Sequence, residues 1–281
     1  MRYIEIHCKI DNPQEGNEIM IALLADLGCD SFVENEEGVL AYIPQKDFRK
    51  EIFDDLLVNN AVPYSFTLNY QLMEDKDWNA EWEANYSSVI IDNCCLIRAP
   101  FHESVPNMLY EIIIEPKMAF GTAHHSTTSQ IISYLLEENC NAKKILDMGT
   151  GTGVLAILAA LKGAKHITAI DNDEWAYNNC IENVEKNNIH IIETILGDAK
   201  SIKDVDYDIV IANINRNILL QDMATYAKVM TNNGVLFLSG FYKDPDLDIL
   251  LQEAKKYQLV MTSYKEKNGW VATRLEKRIN K

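Results

Sequence analysis

The chain has no apolar run of the roughly 18 to 20 residues that a helix needs to cross a membrane. It opens on MRYIEIHCKI, a strand pattern without the layout of a signal peptide, so a cytoplasmic location is expected. None of its six cysteines forms a C-x-x-C pair, and most sit in apolar runs. Buried free thiols in a reducing compartment fit that usage, and a zinc site does not. Positive charge is scarce: 26 Lys and Arg face 42 Asp and Glu, a net charge of −16. A surface built mainly to neutralise phosphates needs clustered cations, so direct nucleic-acid binding is not expected, and a macromolecular partner would be basic. The same charge also serves solubility. No repeat or low-complexity segment appears, and a monomer is expected.

At 281 residues with 47% apolar side chains, the chain can hold a small and a large domain. Residues 1–72 read as β-α-β-β-α-β, the order of a ferredoxin-like unit. The strands are RYIEIHCKI, SFVEN, GVLAYIP and YSFTLNYQL; the helices are GNEIMIALLADLG and QKDFRKEIFDDLLV. Residues 73–86 read as a linker helix with Trp78 and Trp82 four apart on one face, packed on a neighbouring domain or stacked on a ligand.

Residues 87–281 follow another pattern. Three strand-like runs precede MAFGTAHHSTTSQ (118–130); helix and strand then alternate, with helices at 128–139, 153–162, 173–187, 216–230 and 245–257. Five parallel-type strands with helices between them predict a doubly wound α/β sheet, and Asn268–Gly269 predicts a terminal hairpin that completes seven strands.

The sharpest motif is KILDMGTGTGVLAI, a buried strand, alternate glycines and a helix. Gly149 and Gly151 let a ligand approach the main chain, and the helix N-terminus favours an anionic group. A dinucleotide and S-adenosylmethionine both suit such a loop, and Gly151-x-Gly153-x-x-Ala156 matches the dinucleotide pattern. Asp147 argues for the second ligand, because it would repel a pyrophosphate but suit the ammonium of a methionine. Asp171 ends the next strand, where a carboxylate can take both ribose hydroxyls of either ligand. Asp198 ends the third strand, to face an adenine amino group or merely to make a turn. Asn213 ends the fourth, which borders the same crevice, and its amide oxygen can accept an N–H from an attacking amine. Asn-Pro-Pro-Tyr, carried there by several methyltransferases of planar nitrogens, is absent.

With these motifs the chain resembles class I S-adenosylmethionine-dependent methyltransferases. More narrowly it resembles the PrmA family, which methylates ribosomal protein eleven of the large subunit. DWNAEWE, EPKMAFGTAHHSTTSQ, LDMGTGTGVLAI, AIDND, VIANI and LFLSG carry the likeness from Trp78 to Gly240. The resemblance implies cofactor-binding roles for Thr128, Gly149, Asp171 and Asn213. It implies a seven-stranded methyltransferase sheet, an N-terminal domain that recognises the ribosomal protein, and methylation of lysine side chains and an N-terminal α-amine. Phe120 would pack on the cofactor or in the core, and 118–130 would be a lid over the cofactor. Two positions depart from the family: Ala123 stands where a second glycine is usual, and Asn215–Arg216 where Leu-Ala is. Adjacent histidines, His124 and His125, point different ways and lack a third ligand at metal spacing, so no metal is expected. A methyltransferase of another protein or of a small molecule is the alternative within the class; a nicotinamide-dependent oxidoreductase and a cofactor-binding module without turnover are the readings from other classes.

Overall fold

The structure is a computed structural model that describes residues 3–58, 63–73, 86–117, 121–203 and 205–278. Trp78, Trp82 and Phe120, with most of the expected linker helix, lie outside the described residues. The chain divides into two compact units, Met1–Asn85 and Tyr86–Lys281.

The N-terminal unit runs β1 (Tyr3–Ile10), α1 (Pro13–Asp26), β2 (Ser31–Asn35), β3 (Gly38–Pro44), α2 (Lys50–Val58), β4 (Phe66–Leu72). Its antiparallel sheet has the order β2-β3-β1-β4, the ferredoxin-like arrangement. Alternation along β1 decides which face is packed: Ile4, Ile6, Cys8 and Ile10 are buried with Met20, Leu24 and Phe53. Both helices start elsewhere than their apolar spacing indicates. Helix α1 begins at Pro13, where a missing N–H costs nothing. Helix α2 begins at Lys50, because Pro44 O takes the N–H groups of Asp47 and Phe48 and closes a turn first. Phe48 then packs on Phe53 and Tyr70.

The second unit opens with β5 (Val89–Ile91), β6 (Cys95–Arg98) and β7 (Tyr110–Ile113), which form a separate three-stranded sheet. Then come α3 (Ser126–Glu137), β8 (Lys144–Met148), α4 (Val154–Leu161), β9 (His166–Asp171), α5 (Glu174–Lys186) and β10 (Ile192–Leu196). The chain continues through β11 (Tyr207–Asn213), α6 (Arg216–Val229), β12 (Met230–Tyr242), α7 (Asp248–Lys255), β13 (Leu259–Lys267) and β14 (Trp270–Lys277). The seven-stranded order is β10-β9-β8-β11-β12-β14-β13, five parallel strands and an antiparallel hairpin. This is the expected doubly wound sheet. Its apolar side chains divide by strand alternation. Ile145, Ile209, Ile211 and Phe237 pack with α3 and α4 on one face; Leu146, Met148, Val210 and Leu236 pack with α6 and α7 on the other. Strand order reverses between β8 and β11, which places a crevice at their carboxyl ends.

Helix α5 ties the small sheet to this framework with two asparagines. Asn187 uses its amide as a strand would, accepting from Ile113 N at 2.9 Å and donating to Ile113 O at 2.7 Å. Asn183, fully buried, accepts from Glu115 N at 2.8 Å and donates to Thr152 O at 2.9 Å. Leaving both backbone groups without partners costs about 2 to 3 kcal/mol. Asn183→Leu, similar in volume, should therefore lose about that much stability in urea unfolding. A variant as stable as the parent would contradict this bridge.

Candidate functional site

The crevice is built where β8 and β9 end. Gly149, Gly151 and Gly153 all have positive φ, at 68°, 55° and 82°. Gly149 is sterically required: a Cβ there would lie 2.2 Å from Ile214 Cγ2. The N–H groups of Gly149 and Thr150 both bond to Ile170 O, at 2.8 and 3.1 Å. Asp171 completes this clamp. Its Oδ2 accepts from Gly151 N at 2.8 Å and its Oδ1 from Asp173 N at 3.0 Å. Each oxygen keeps a further lone pair for a ligand.

Asp147 lies beneath the loop and is fully buried. Thr150 Oγ1 donates to its Oδ2 at 2.7 Å, whereas its Oδ1 has no hydrogen-bond partner. Burial pushes its carboxyl up to about 7, with the nearby Asp171 charge adding and the Thr150 hydroxyl opposing.

Asn213 ends β11 and donates through Nδ2 to Thr128 Oγ1 at 3.2 Å, while its Oδ1 is buried without a partner. Thr128 is buried in the first turn of α3. Its hydroxyl holds Asn213, and the neighbouring Thr127 is the threonine that lines the cavity. Asp198 caps the short turn Ala199–Ser201 by accepting from Lys200 N at 2.9 Å, and it also borders the crevice.

Both histidines make local hydrogen bonds. His125 caps α3, its Nδ1 accepting from Thr127 N at 3.3 Å; His124 Nε2 lies 3.0 Å from Ser87 O. Among the described residues no group of three His, Cys, Asp or Glu side chains is arranged to hold a metal. Thr152 Oγ1 donates to Gly121 O at 2.7 Å and so joins the loop before α3 to the glycine loop. Ala123 is buried with φ 67°, a conformation that favours glycine. Asn215 caps α6, and Arg216 pairs with Asp246 at 2.6 Å.

Two cavities, of about 530 and 400 Å³, share Gly149, Asp171, Asn172, Ile214 and Asn215. The first reaches Asn213 and Trp270; the second reaches Asp198. Sequence reasoning left Gly240 and Trp270 without roles. At Gly240, φ 97°, a Cβ would lie 2.3 Å from Ile214 O, so β12 can pass this loop only as glycine.

Residues 7–278 match the family model described as ribosomal protein L11 methyltransferase (PrmA). The chain belongs to the ribosomal protein L11 methyltransferase family. A protein of that name from Bacteroides fragilis is 46% identical over 92% of this chain and 93% of its own. One from Phocaeicola vulgatus is 43% identical over 98% and 99%. The crystal structure of a ribosomal protein L11 methylase from Lactobacillus delbrueckii subsp. bulgaricus shares the fold, with a TM-score of 0.64 at 22% identity, covering 69% of this chain and all of that one. The cofactor of this L11 methyltransferase family member is S-adenosylmethionine.

Asp147 gives the site a pH signature. Its folded value of about 7 lies above the ordinary 3.8, so the fold prefers the neutral acid. That stabilisation is complete below about pH 4 and is lost as pH rises through about 7, by at most about 4 kcal/mol. The stability of the native protein relative to Asp147→Asn should fall between about pH 4 and pH 8. A difference independent of pH in urea melts would contradict an acid held neutral by burial.

Proposed function

We propose that this chain transfers methyl groups from S-adenosylmethionine to amines of ribosomal protein L11, on lysine side chains and the N-terminal α-amine. The observation that carries the reading is the Asn213 amide: fixed through Nδ2, with a buried Oδ1 left unpaired, it belongs to a residue that lines the cavity holding Gly149 and Asp171.

The residues present fit the cofactor. Asp171 suits a ribose diol, and Asp147 beneath the glycine loop, once ionised, would repel a pyrophosphate but suit a molecule bearing a sulfonium and an ammonium. Asp171 would take the ribose hydroxyls on its remaining lone pairs, and Gly149 and Gly151 would allow the close approach of the methionine arm. Asp147, ionised by a neighbouring ammonium, would face that arm from below. Asp198 would meet the adenine amino group, and Thr128 would act by holding Asn213. Each cavity, of about 530 and 400 Å³, falls within the roughly 300 to 1,000 Å³ usual for such ligands. When bound, the cofactor supplies a methyl group on a sulfonium, already activated for attack by a lone pair.

The chain's own residues then need only to position a neutral amine. A lysine with an ordinary pKa of about 10.4 must lose its proton first, and a partly dry pocket beside a cation favours that loss. Asn213 Oδ1 accepts an N–H of the neutral amine and turns its lone pair to the methyl carbon. No side chain is required as a committed base; His125 Nδ1 accepts from Thr127 N, and His124 Nε2 lies beside Ser87 O.

We assign residues 1–72 to substrate recognition, 73–86 to the linker and 87–281 to catalysis. Residues 1–85 carry eighteen Asp and Glu against six Lys and Arg, which suits a basic protein partner. No described helix is long and apolar enough to cross a membrane. On this reading the enzyme works in the cytoplasm as a monomer, without direct contact with nucleic acid or membrane.

Incubation with S-adenosylmethionine and the ribosomal protein should add methyl units at amines, read by mass spectrometry of peptides. A substrate recovered without added mass would overturn the reading. Asp171→Ala should weaken cofactor binding by about tenfold or more, since charge-assisted hydrogen bonds contribute about 1.5 to 3 kcal/mol. An unchanged calorimetric dissociation constant would rule out the ribose contact.

A further inference from the structure

One wall of the cavity beside Asn213 is aromatic and takes no part in the assignments above. Trp270 opens β14 immediately after the Asn268–Gly269 turn and lines the cavity together with Asn213, Gly149 and Gly240. It borders the cavity that reaches Asn213 and not the one that reaches Asp198. It therefore stands on the side of the amide oxygen, away from the end assigned to adenine.

The indole is held in place from several directions. Tyr242 is its cross-strand partner on β12, with ring centroids 4.0 Å apart and planes at 31°. The His125 ring meets it edge-on at 4.8 Å. Gln130 Nε2 donates to the Trp270 carbonyl at 3.2 Å, and Asn268 Nδ2 donates to Ser126 Oγ at 3.3 Å. Both donors tie the hairpin to the first turns of α3, the helix whose Thr128 fixes Asn213. One rigid assembly thus positions the amide oxygen and the indole together.

We propose that Trp270 is the acceptor-side wall of the active site, packing against the aliphatic stem and the nitrogen of the amine to be methylated. The proposal rests on the amine-methyltransferase reading above. As the new carbon–nitrogen bond forms and the carbon–sulfur bond breaks, the electron pair stays on sulfur and the positive charge passes to nitrogen. An indole beside that nitrogen attracts the cation as it develops, and does so better once methyl groups have replaced hydrogens that water would solvate. The wall therefore serves both the transfer and the retention of a partly methylated amine, which releases its proton to water before another round. Tyr242 and His125 act through the orientation of the indole.

The test uses the full chain with S-adenosylmethionine and the ribosomal protein as acceptor. Trp270→Phe keeps an aromatic face, Trp270→Leu keeps bulk without one, and Trp270→Ala keeps neither. The cofactor dissociation constant should stay within about twofold of the parent in each folded variant, because the indole is on the acceptor side. The acceptor KM should rise about tenfold in Trp270→Leu and Trp270→Ala, with the products shifted toward fewer methyl groups, and Trp270→Phe should recover most of both. Trp270→Leu with the parent's KM and product pattern would overturn the proposal. So would a loss of cofactor affinity in step with activity. Should Trp270→Ala fail to fold, the comparison of Leu with Phe decides. A parent protein that leaves the acceptor unmethylated would instead overturn the functional reading itself.

Discussion

The site depends on one buried carboxylate. Asp171 closes the glycine loop by taking the Gly151 N–H, and it starts α5 correctly by taking the Asp173 N–H. A charge this buried is tolerable only with such bonds, so loop and carboxylate hold each other in place. Burial raises the carboxyl of Asp147, and the Asp171 charge adds to it. An ionised Asp147 would be a liability around a phosphate. Around a cationic nucleoside it would be complementary, so on the proposed reading a loop of dinucleotide type can serve a sulfonium cofactor.

A second layer of bonds supports this clamp from elements distant in sequence. Thr152 holds Gly121, Thr128 holds Asn213, and Gln130 holds Trp270, so α3 and the loop before it act as a brace between the glycine loop, β11 and the terminal hairpin. On the other side, Asn183 links β7 and the glycine loop through α5. Since methyl transfer asks for placement more than for acid–base chemistry, a braced crevice of this kind is what the reaction needs. On the proposed reading the acidic N-terminal unit recognises the basic substrate.

The large features were legible because they are local. Alternating apolar runs marked the five parallel strands, the spacing of Gly149, Gly151 and Gly153 marked the loop, and Asn268–Gly269 marked a hairpin whose two turn residues do have positive φ. The family was legible in the loop before α3. What the sequence hid depends on contacts between distant positions. The hydroxyl of Thr128 accepts from Asn213, 85 residues away, and Thr127 lines the cavity. Asp198 was left between a ligand contact and a turn because a capping bond to Lys200 and a place at the crevice are not exclusive. The start of α2 was misplaced because a turn closed on Pro44 competes with helical spacing. Trp270 gave no local signal at all, since its neighbours Tyr242 and His125 come from other elements.

The central claim is that Asp171 shapes the glycine loop before any ligand arrives. Amide hydrogen exchange at Gly151 in the cofactor-free protein tests it most directly, because that N–H has the Asp171 carboxylate as its bonded acceptor. The account predicts strong protection in the native chain and exchange at least about tenfold faster in Asp171→Ala, with the β8 amides unaffected. Gly151 exchanging at the rate of an open loop in the native chain would contradict it.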